Sequence, residues 1–371
     1  MSNNNKNEKK PERKPERKPK GKLTKNPTKK ANNELTESEK SIEENYKKMT
    51  QHEHVLARPD TYIGSTDVRK ASEYVVVNST SNGKINVTVD AEDDDDDAIN
   101  SNVDIDDNTN IKLKEIEFIP GLNNIIEEIL VNAIDNWSRV KQRNLTLKGS
   151  KKLKPVTRIE IELNKETGEI AVTNNGEGID IAIHPTEKIY VPQMIFGELL
   201  TSGNYNENEE RITGGKNGFG AKLTNIYSTT FHITTVDCRR KLIYNQRFKD
   251  NLFVKEKPTI ENYKKEPYTK IAFTPDYKRF KFDGLTDDLI ALFKKRAYDV
   301  VACTHGDIKV YFNKEEIKIS SFNSYISLYI GDAPRLITDI NERWKIAACL
   351  TPDFGFKQVS FVNGINTNRG G

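Results

Sequence analysis

Only three cysteines occur in 371 residues, Cys238, Cys303 and Cys349, far apart and without metal-ligand spacing. They read as reduced core thiols of an intracellular protein, not as a disulfide framework. No stretch approaches the roughly 20 apolar residues needed to cross a bilayer. The N-terminus has no apolar run, so no secretory signal is visible. There is no internal repeat. Two common phosphate motifs are also missing. No Gly-Lys pair is followed by Ser or Thr, which excludes the P-loop. Gly215, Gly218 and Gly220 run in the reverse of the G-x-G-x-x-G spacing, which excludes the dinucleotide fingerprint.

Hydrophobic residues make up 35% of the chain and charged residues 30%. A soluble core fits that composition only if part of the chain stays unstructured. At roughly 100–200 residues per domain, two domains plus tails are expected. The net charge of +3 says little, but its distribution says more. Residues 1–47 form a basic tail, with KKPERKPERKPKGK at its centre. It is either a solvated disordered segment or an arm for nucleic acid or nuclear import, and the two are compatible. A second low-complexity stretch, Ala91–Asn110, contains Asp93 to Asp97 and reads as an acidic disordered insertion.

Between these biased segments the pattern turns regular. A helix is expected over Gly121 to Arg139, entered after Pro120. Alternation predicts strands at Thr157–Leu163 and Glu169–Thr173, joined by a turn at Lys165–Gly168. Glycines at Thr213–Gly220 lead into a helix over Ala221–Tyr227. Strands are expected at Phe231–Val236, Leu242–Phe248 and Thr269–Phe273, then a helix over Leu285–Cys303. A strand pair follows at Ile308–Phe312 and Glu315–Ile319, and Trp344–Leu350 and Gln358–Val362 read as strands of a second domain. The sum is an α/β layered fold with much antiparallel sheet.

On the first helix, at 100° per residue, Glu128, Asn132, Asp135, Asn136 and Arg139 share a sector of roughly 100°, opposite Ile126, Leu130, Ile134 and Trp137. A solvated face is the ordinary reading of such a stripe. Two asparagines in mid-helix weaken it, because asparagine is a poor helix former and needs another reason to be there. Oxygen donors of this kind suit Mg²⁺ carried by phosphates.

Two glycine motifs follow. NNGEGI, Asn174 to Ile179, is either a plain turn or a place where the backbone approaches a flat ligand, with Asn174 on a base edge. TGGKNGFGAKL, Thr213 to Leu223, opens into a helix. It is either a flexible loop or a phosphate cradle of backbone amides, with Lys216 and Lys222 adding charge.

Together these motifs resemble the GHKL ATPase superfamily, which takes in gyrase, heat-shock chaperones, mismatch-repair ATPases and histidine kinases. RPDTYIGS (Arg58–Ser65), EEILVNAIDN, YVPQMIFGELLTSGNY (Tyr190–Tyr205), TGGKNGFGAKLTNIYS and VSFVNGINT (Val359–Thr367) resemble eukaryotic-type DNA topoisomerase II nearly phrase for phrase. The likeness covers about Tyr46 to Gly371 without the acidic insertion. It implies a Bergerat-type sandwich of mixed sheet and helices at 48–315. A truncated transducer domain of ribosomal-protein-like fold follows at 316–371.

The resemblance also implies roles. Glu128 matches the general base, Asn132 the Mg²⁺ ligand, and Asn136 and Asn174 residues near adenine and ribose. Ser202, Gly203 and Asn204 match ribose and phosphate contacts. Gly215, Lys216, Asn217, Gly218, Phe219, Gly220, Ala221 and Lys222 match the lid over the triphosphate. Tyr62 lies in a segment that in the family crosses to the partner's nucleotide. ATP and Mg²⁺ are the implied cofactors and double-stranded DNA the implied substrate. A homodimer and a nuclear location are also implied, with no membrane.

Some features depart from the family. Gly203 stands where a second serine is usual, and a basic loop shrinks to IGDAPR. The γ-phosphate-sensing Gln-Thr-Lys loop and the DNA-cutting domain are expected beyond Gly371. A fragment of this kind would carry ATPase but not cleavage. A chaperone or mismatch-repair ATPase is the alternative within the superfamily.

Overall fold

The computed structural model describes residues 46, 48–78, 109–201, 213–215, 218–341, 344–351 and 355–367. The chain divides into two compact units, Met1–Lys48 and Met49–Gly371. All regular elements described belong to the second.

Thr50 opens the first helix, Gln51–Ala57 (α1), with a capping box: its hydroxyl accepts from Glu53 N, and the Glu53 carboxylate accepts from Thr50 N at 2.8 Å. Proline at the first position starts the short Pro59–Tyr62 helix (α2). Strands Arg69–Asn78 (β1) and Thr109–Phe118 (β2) pair antiparallel along their full lengths. The expected acidic insertion lies between them, outside the described residues except for Thr109 and Asn110, which are the first residues of β2.

Helix Pro120–Thr146 (α3) also begins on a proline and runs two turns past the expected end at Arg139. Its buried stripe includes Leu122, Ile126, Ile129, Leu130 and Ile134. The helix start is pinned to the RPDTYIGS segment. Gly121 N donates to Ser65 O at 2.8 Å and Asn124 Nδ2 to Ile63 O at 2.8 Å.

The main sheet comprises Arg158–Leu163 (β3), Ile170–Asn175 (β4), Ser228–Asp237 (β5), Leu242–Lys249 (β6), Val254–Lys255 (β7), Thr259–Asn262 (β8), Tyr268–Pro275 (β9), Lys309–Phe312 (β10) and Glu315–Glu316 (β11). Its order is β11-β10-β3-β4-β9-β5-β6-β7, with β8 also on β6. Only β10 and β3 run parallel, so this is the expected mixed sheet. Ile159, Ile161, Val172, Ile233 and Ile271 face a core shared with α3. Two short helices, Val191–Gly197 (α4) and Gly220–Ile226 (α5), pack together, and α5 packs on α3. Thr286 caps helix Asp287–Cys303 (α6), and Asp287 and Asp288 stand in its positive first turn.

Beyond the sheet come helix Phe322–Ile330 (α7), the ribbon Arg335–Asn341 (β12) with Trp344–Cys349 (β13), and the hairpin Phe361–Val362 (β14) with Ile365–Asn366 (β15). The sequence pattern gave no warning of β1, β2, α4, α7 or β12. Strand β1 mixes Lys, Ser and Glu with Val and Tyr, and its burial comes from α6 and α7 rather than from an alternating pattern. Two expected strands are shorter than foreseen, Glu315–Glu316 and Phe361–Val362.

The expectation of three core thiols fails at Cys349. Cys238 and Cys303 are half-buried, but Cys349 is exposed on a two-stranded ribbon most of whose residues face outward. Among the described residues no helix is long and apolar enough to cross a membrane.

Candidate functional site

The polar stripe of α3 borders a cleft of about 1100 Å³. Glu128, Asn132, Asp135, Asn136 and Arg139 all line it, so this stripe is not an ordinary solvated face. The opposite floor is the β4–β9 pair, contributing Val172, Asn174, Thr269 and Ile271. Asn174 is a buried polar residue at the end of β4, and its Nδ2 donates to Asn175 O at 2.9 Å.

The NNGEGI segment is both a turn and part of the wall. Asn175 Oδ1 accepts from Thr157 N and Arg158 N at 2.8 and 2.9 Å, which closes the turn against β3. Gly178 has φ +77°, and a Cβ there would meet Val236 O at 1.7 Å. Only glycine allows the chain to pass β5 this closely. Gly178, Ile179 and Asp180 then line the cleft.

The third wall is the glycine-rich segment entering α5. Gly214 N and Gly215 N donate to the two carboxylate oxygens of the buried Asp135, at 2.7 and 2.9 Å. The segment is therefore held on α3 by one side chain whose role the sequence reading left unassigned. At its other end Gly220 meets Glu128, and a Cβ on Gly220 would fall 1.9 Å from Glu128 Oε2.

Burial, joined by the charges of Glu127 and Asp135, pushes the Glu128 carboxyl up to about 7. A carboxyl poised near neutrality is what a general base at physiological pH needs. Lys222 follows on α5, and burial lowers its amine to about 8. Its Nζ donates to Gly218 O at 2.5 Å and to Thr201 O. Burial likewise lowers the Arg139 guanidinium.

The sequence-predicted residues converge. Glu128, Asn132, Asn136, Asn174, Gly215 and Gly218 line the one cleft, as do Phe219, Gly220, Ala221 and Lys222. Tyr62 stands at its edge, half-buried against Phe219 with ring centroids 6.4 Å apart, and its hydroxyl meets His54 Nδ1 at 2.9 Å. Ser202, Gly203, Asn204, Lys216 and Asn217 lie outside the described residues.

Residues that pattern reading missed come from far along the chain. Ile365 and Asn366 of β15 reach the cleft, as do Lys295, Arg296 and Asp299 of α6. Ile365 and Asn366 fall within the VSFVNGINT phrase, but nothing local marks the three of α6, which reads as an amphipathic helix whose charges become buried only on packing against α3 and α7.

Among the described residues no group of three His, Cys, Asp or Glu forms a metal cage. The donors present are the Asn132 carboxamide and the Glu128 carboxylate on one helix face. That sparse oxygen set fits Mg²⁺, which takes one or two protein groups and fills its shell with phosphate and water.

Comparison with known proteins agrees with this geometry. Residues 119–275 match the family of histidine kinase-, DNA gyrase B-, and HSP90-like ATPases. The chain is 41% identical to DNA topoisomerase 2 of Acanthamoeba polyphaga mimivirus, over 90% of this chain and 24% of that protein. It is 39% identical to the Drosophila melanogaster enzyme, over 89% of this chain and 20% of that one. It thus spans about a quarter or less of the curated relatives it matches.

Solved structures are similar over more of their length. The ATPase region of Saccharomyces cerevisiae topoisomerase II superposes with a TM-score of 0.73 at 36% identity, covering 87% of this chain and 75% of that one. The ATPase and transducer domains of DNA topoisomerase II from Balamuthia mandrillaris give 0.72 at 38% identity, covering 88% and 73%.

Proposed function

The chain belongs to the eukaryotic-type DNA topoisomerase II family, as its GHKL ATPase region, and on that premise we propose that it binds and hydrolyses Mg·ATP to work a dimeric gate for DNA. One observation carries the proposal. A carboxyl raised to about 7 stands in the cleft against the first residue of the α5 helix, at the end of a glycine-rich segment.

Phosphoryl transfer needs positioning and charge neutralisation more than covalent chemistry. Asn136 and Asn174 would take the base and ribose at the floor of the cleft. The amides of 214–220 and the Lys222 amine would take the triphosphate. Lys222 must first exchange the carbonyls of Thr201 and Gly218 for phosphate oxygens. Glu128 would accept a proton from, or orient, the water that attacks the γ-phosphate. Mg²⁺ bound at Asn132 would neutralise charge on the phosphates. Product release would leave the lid free to open.

In this reading residues 316–371 begin the transducer, Tyr62 meets the partner's nucleotide, and ATP-driven dimerisation traps a DNA duplex. The break through which a second duplex passes belongs to the remainder of the enzyme, and the whole acts in the nucleus. The first matched relatives are topoisomerases, and no observation favours a chaperone or mismatch-repair role.

Calorimetric titration with a non-hydrolysable ATP analogue tests the premise. Wild type and Glu128→Gln should both bind it, and only wild type should turn over ATP. A chain that takes up no nucleotide would end this reading.

A further inference from the structure

Arg296 of α6 is 4% exposed and lies one helix away from the carboxylate assigned as base. Its Nε donates to Glu127 Oε2 at 2.8 Å, and its Nη2 donates to Gly364 O in the hairpin turn. Its guanidinium lies 5.9 Å from the Phe361 ring of the same hairpin, and Asp299 Oδ2 is 3.9 Å from Nη1. One planar side chain therefore grips both the residue before Glu128 and both ends of the 361–364 segment. Arginine's fork suits this double hold, which a lysine's point charge does not reproduce.

The hairpin also touches the glycine-rich segment. Asn363 Nδ2 donates to Thr213 O at 3.2 Å, and a Cβ on Gly214 would meet Ile365 Cδ1 at 2.8 Å. Gly214 N and Gly215 N in turn donate to Asp135, two turns along α3 from Glu128. The contacts close a ring: Asp135, Gly214, Thr213, Asn363, Gly364, Arg296 and Glu127, and back along α3 past Glu128 to Asp135.

We propose that Arg296 is a positioning residue that ties the Glu127–Glu128 step of α3 to the 361–366 hairpin, so that seating of the glycine-rich segment at 213–215 sets the base. The inference rests on Glu128 acting as that base. Arg296 borders the cleft, but its Nη1 is sealed from solvent without a hydrogen bond. Its effect passes through Glu127 and the hairpin.

Two mild variants test it in the full chain. Arg296→Lys keeps the charge and loses the double hold. Asn363→Gly removes the donor to Thr213 at an exposed position while tolerating φ +49°. Each should lower kcat about threefold to thirtyfold, the range for residues that carry coupling between sites. Analogue affinity by calorimetry should stay within about threefold, since neither side chain is among the groups proposed to hold the nucleotide. The double variant should be no slower than the slower single, because both cut one path.

Multiplying effects, an unchanged kcat in Asn363→Gly, or affinity falling in step with kcat would each overturn the proposal. Glu128→Gln assayed alongside separates the premises. If it loses turnover while the double variant shows multiplied effects, the relay is wrong and the base stands. If it keeps turnover, the base itself is wrong.

Discussion

Glu128 and Gly220 occupy the same space to within a methyl group: a Cβ on Gly220 would lie 1.9 Å from Oε2 and 2.7 Å from Cδ of the carboxylate. The obstacle is the free end of a side chain, so the fold can relieve the clash by turning the carboxyl aside. The function cannot, because a displacement of about 1 Å in a reacting group costs on the order of 10²-fold in rate. Gly220→Ala is therefore expected to keep its melting temperature within a few degrees and to lose about 10²-fold in kcat. A melting curve and a steady-state ATPase assay on the same sample check both halves.

The pH profile of kcat/KM should be bell-shaped. As the proposed base Glu128 would work as a carboxylate, and it is raised to about 7, so activity should fall as pH drops through about 7. As the proposed phosphate ligand Lys222 would work as a cation, and it is lowered to about 8, so activity should fall again above about 8.

The same shift has a stability consequence. A carboxyl raised from 4.5 in the unfolded chain to about 7 destabilises the fold above that range, and the penalty fades as pH falls through it. Glu128→Gln should thus be more stable than wild type at pH 8, by about 1–3 kcal/mol, and lose that advantage near pH 5. Denaturant melts at the two pH values measure it.

Asp135 holds Gly214 N and Gly215 N with one carboxylate. Asn at this position can accept from one amide but sets its own NH₂ against the other. A buried donor left unpaired costs about 1–3 kcal/mol. Asp135→Asn should raise KM for ATP several-fold and speed amide exchange at 213–215, while amides of β4 and β9 exchange as before. Unchanged exchange at 213–215 would show that the segment is held by something else.

Gly178→Ala differs in kind from Gly220→Ala. Here the obstacle is backbone, Val236 O at 1.7 Å, and φ is +77°. Neither can be relieved by a rotamer change, so the variant is expected to fold poorly or melt more than 10 °C lower, on the order expected of a loss above about 4 kcal/mol. Soluble yield and a thermal melt decide it.

For the gate, size-exclusion chromatography with a non-hydrolysable ATP analogue should shift the chain from monomer to dimer. Trimming residues 1–62, which removes Tyr62 and its neighbours, should abolish that shift. A dimer formed equally well without nucleotide would count against a nucleotide-driven gate.

Local chemistry in the chain already contained much of this site. The stripe of Glu128, Asn132, Asp135, Asn136 and Arg139 follows from helix periodicity, which depends on nothing beyond the helix. The motifs holding Gly178 and Gly220 stood out as turn or ligand-approach glycines, although what a Cβ would strike there is β5 and Glu128. The strands β3 to β6 and β9 were visible because each has an apolar face on the core.

The ring around Arg296 was not visible in the same way. Glu127 and Gly364 are joined through a residue 169 positions from the first and 68 from the second, and a contact at that separation leaves no periodic trace. Nor did sequence alone say that Asp135, one polar residue in a polar stripe, is the one that anchors the glycine-rich segment. Patterns record which face of an element is wet or dry. Which partner a buried charge finds is settled when distant elements pack, because only then does desolvation make an unpaired carboxylate or guanidinium too costly to leave alone.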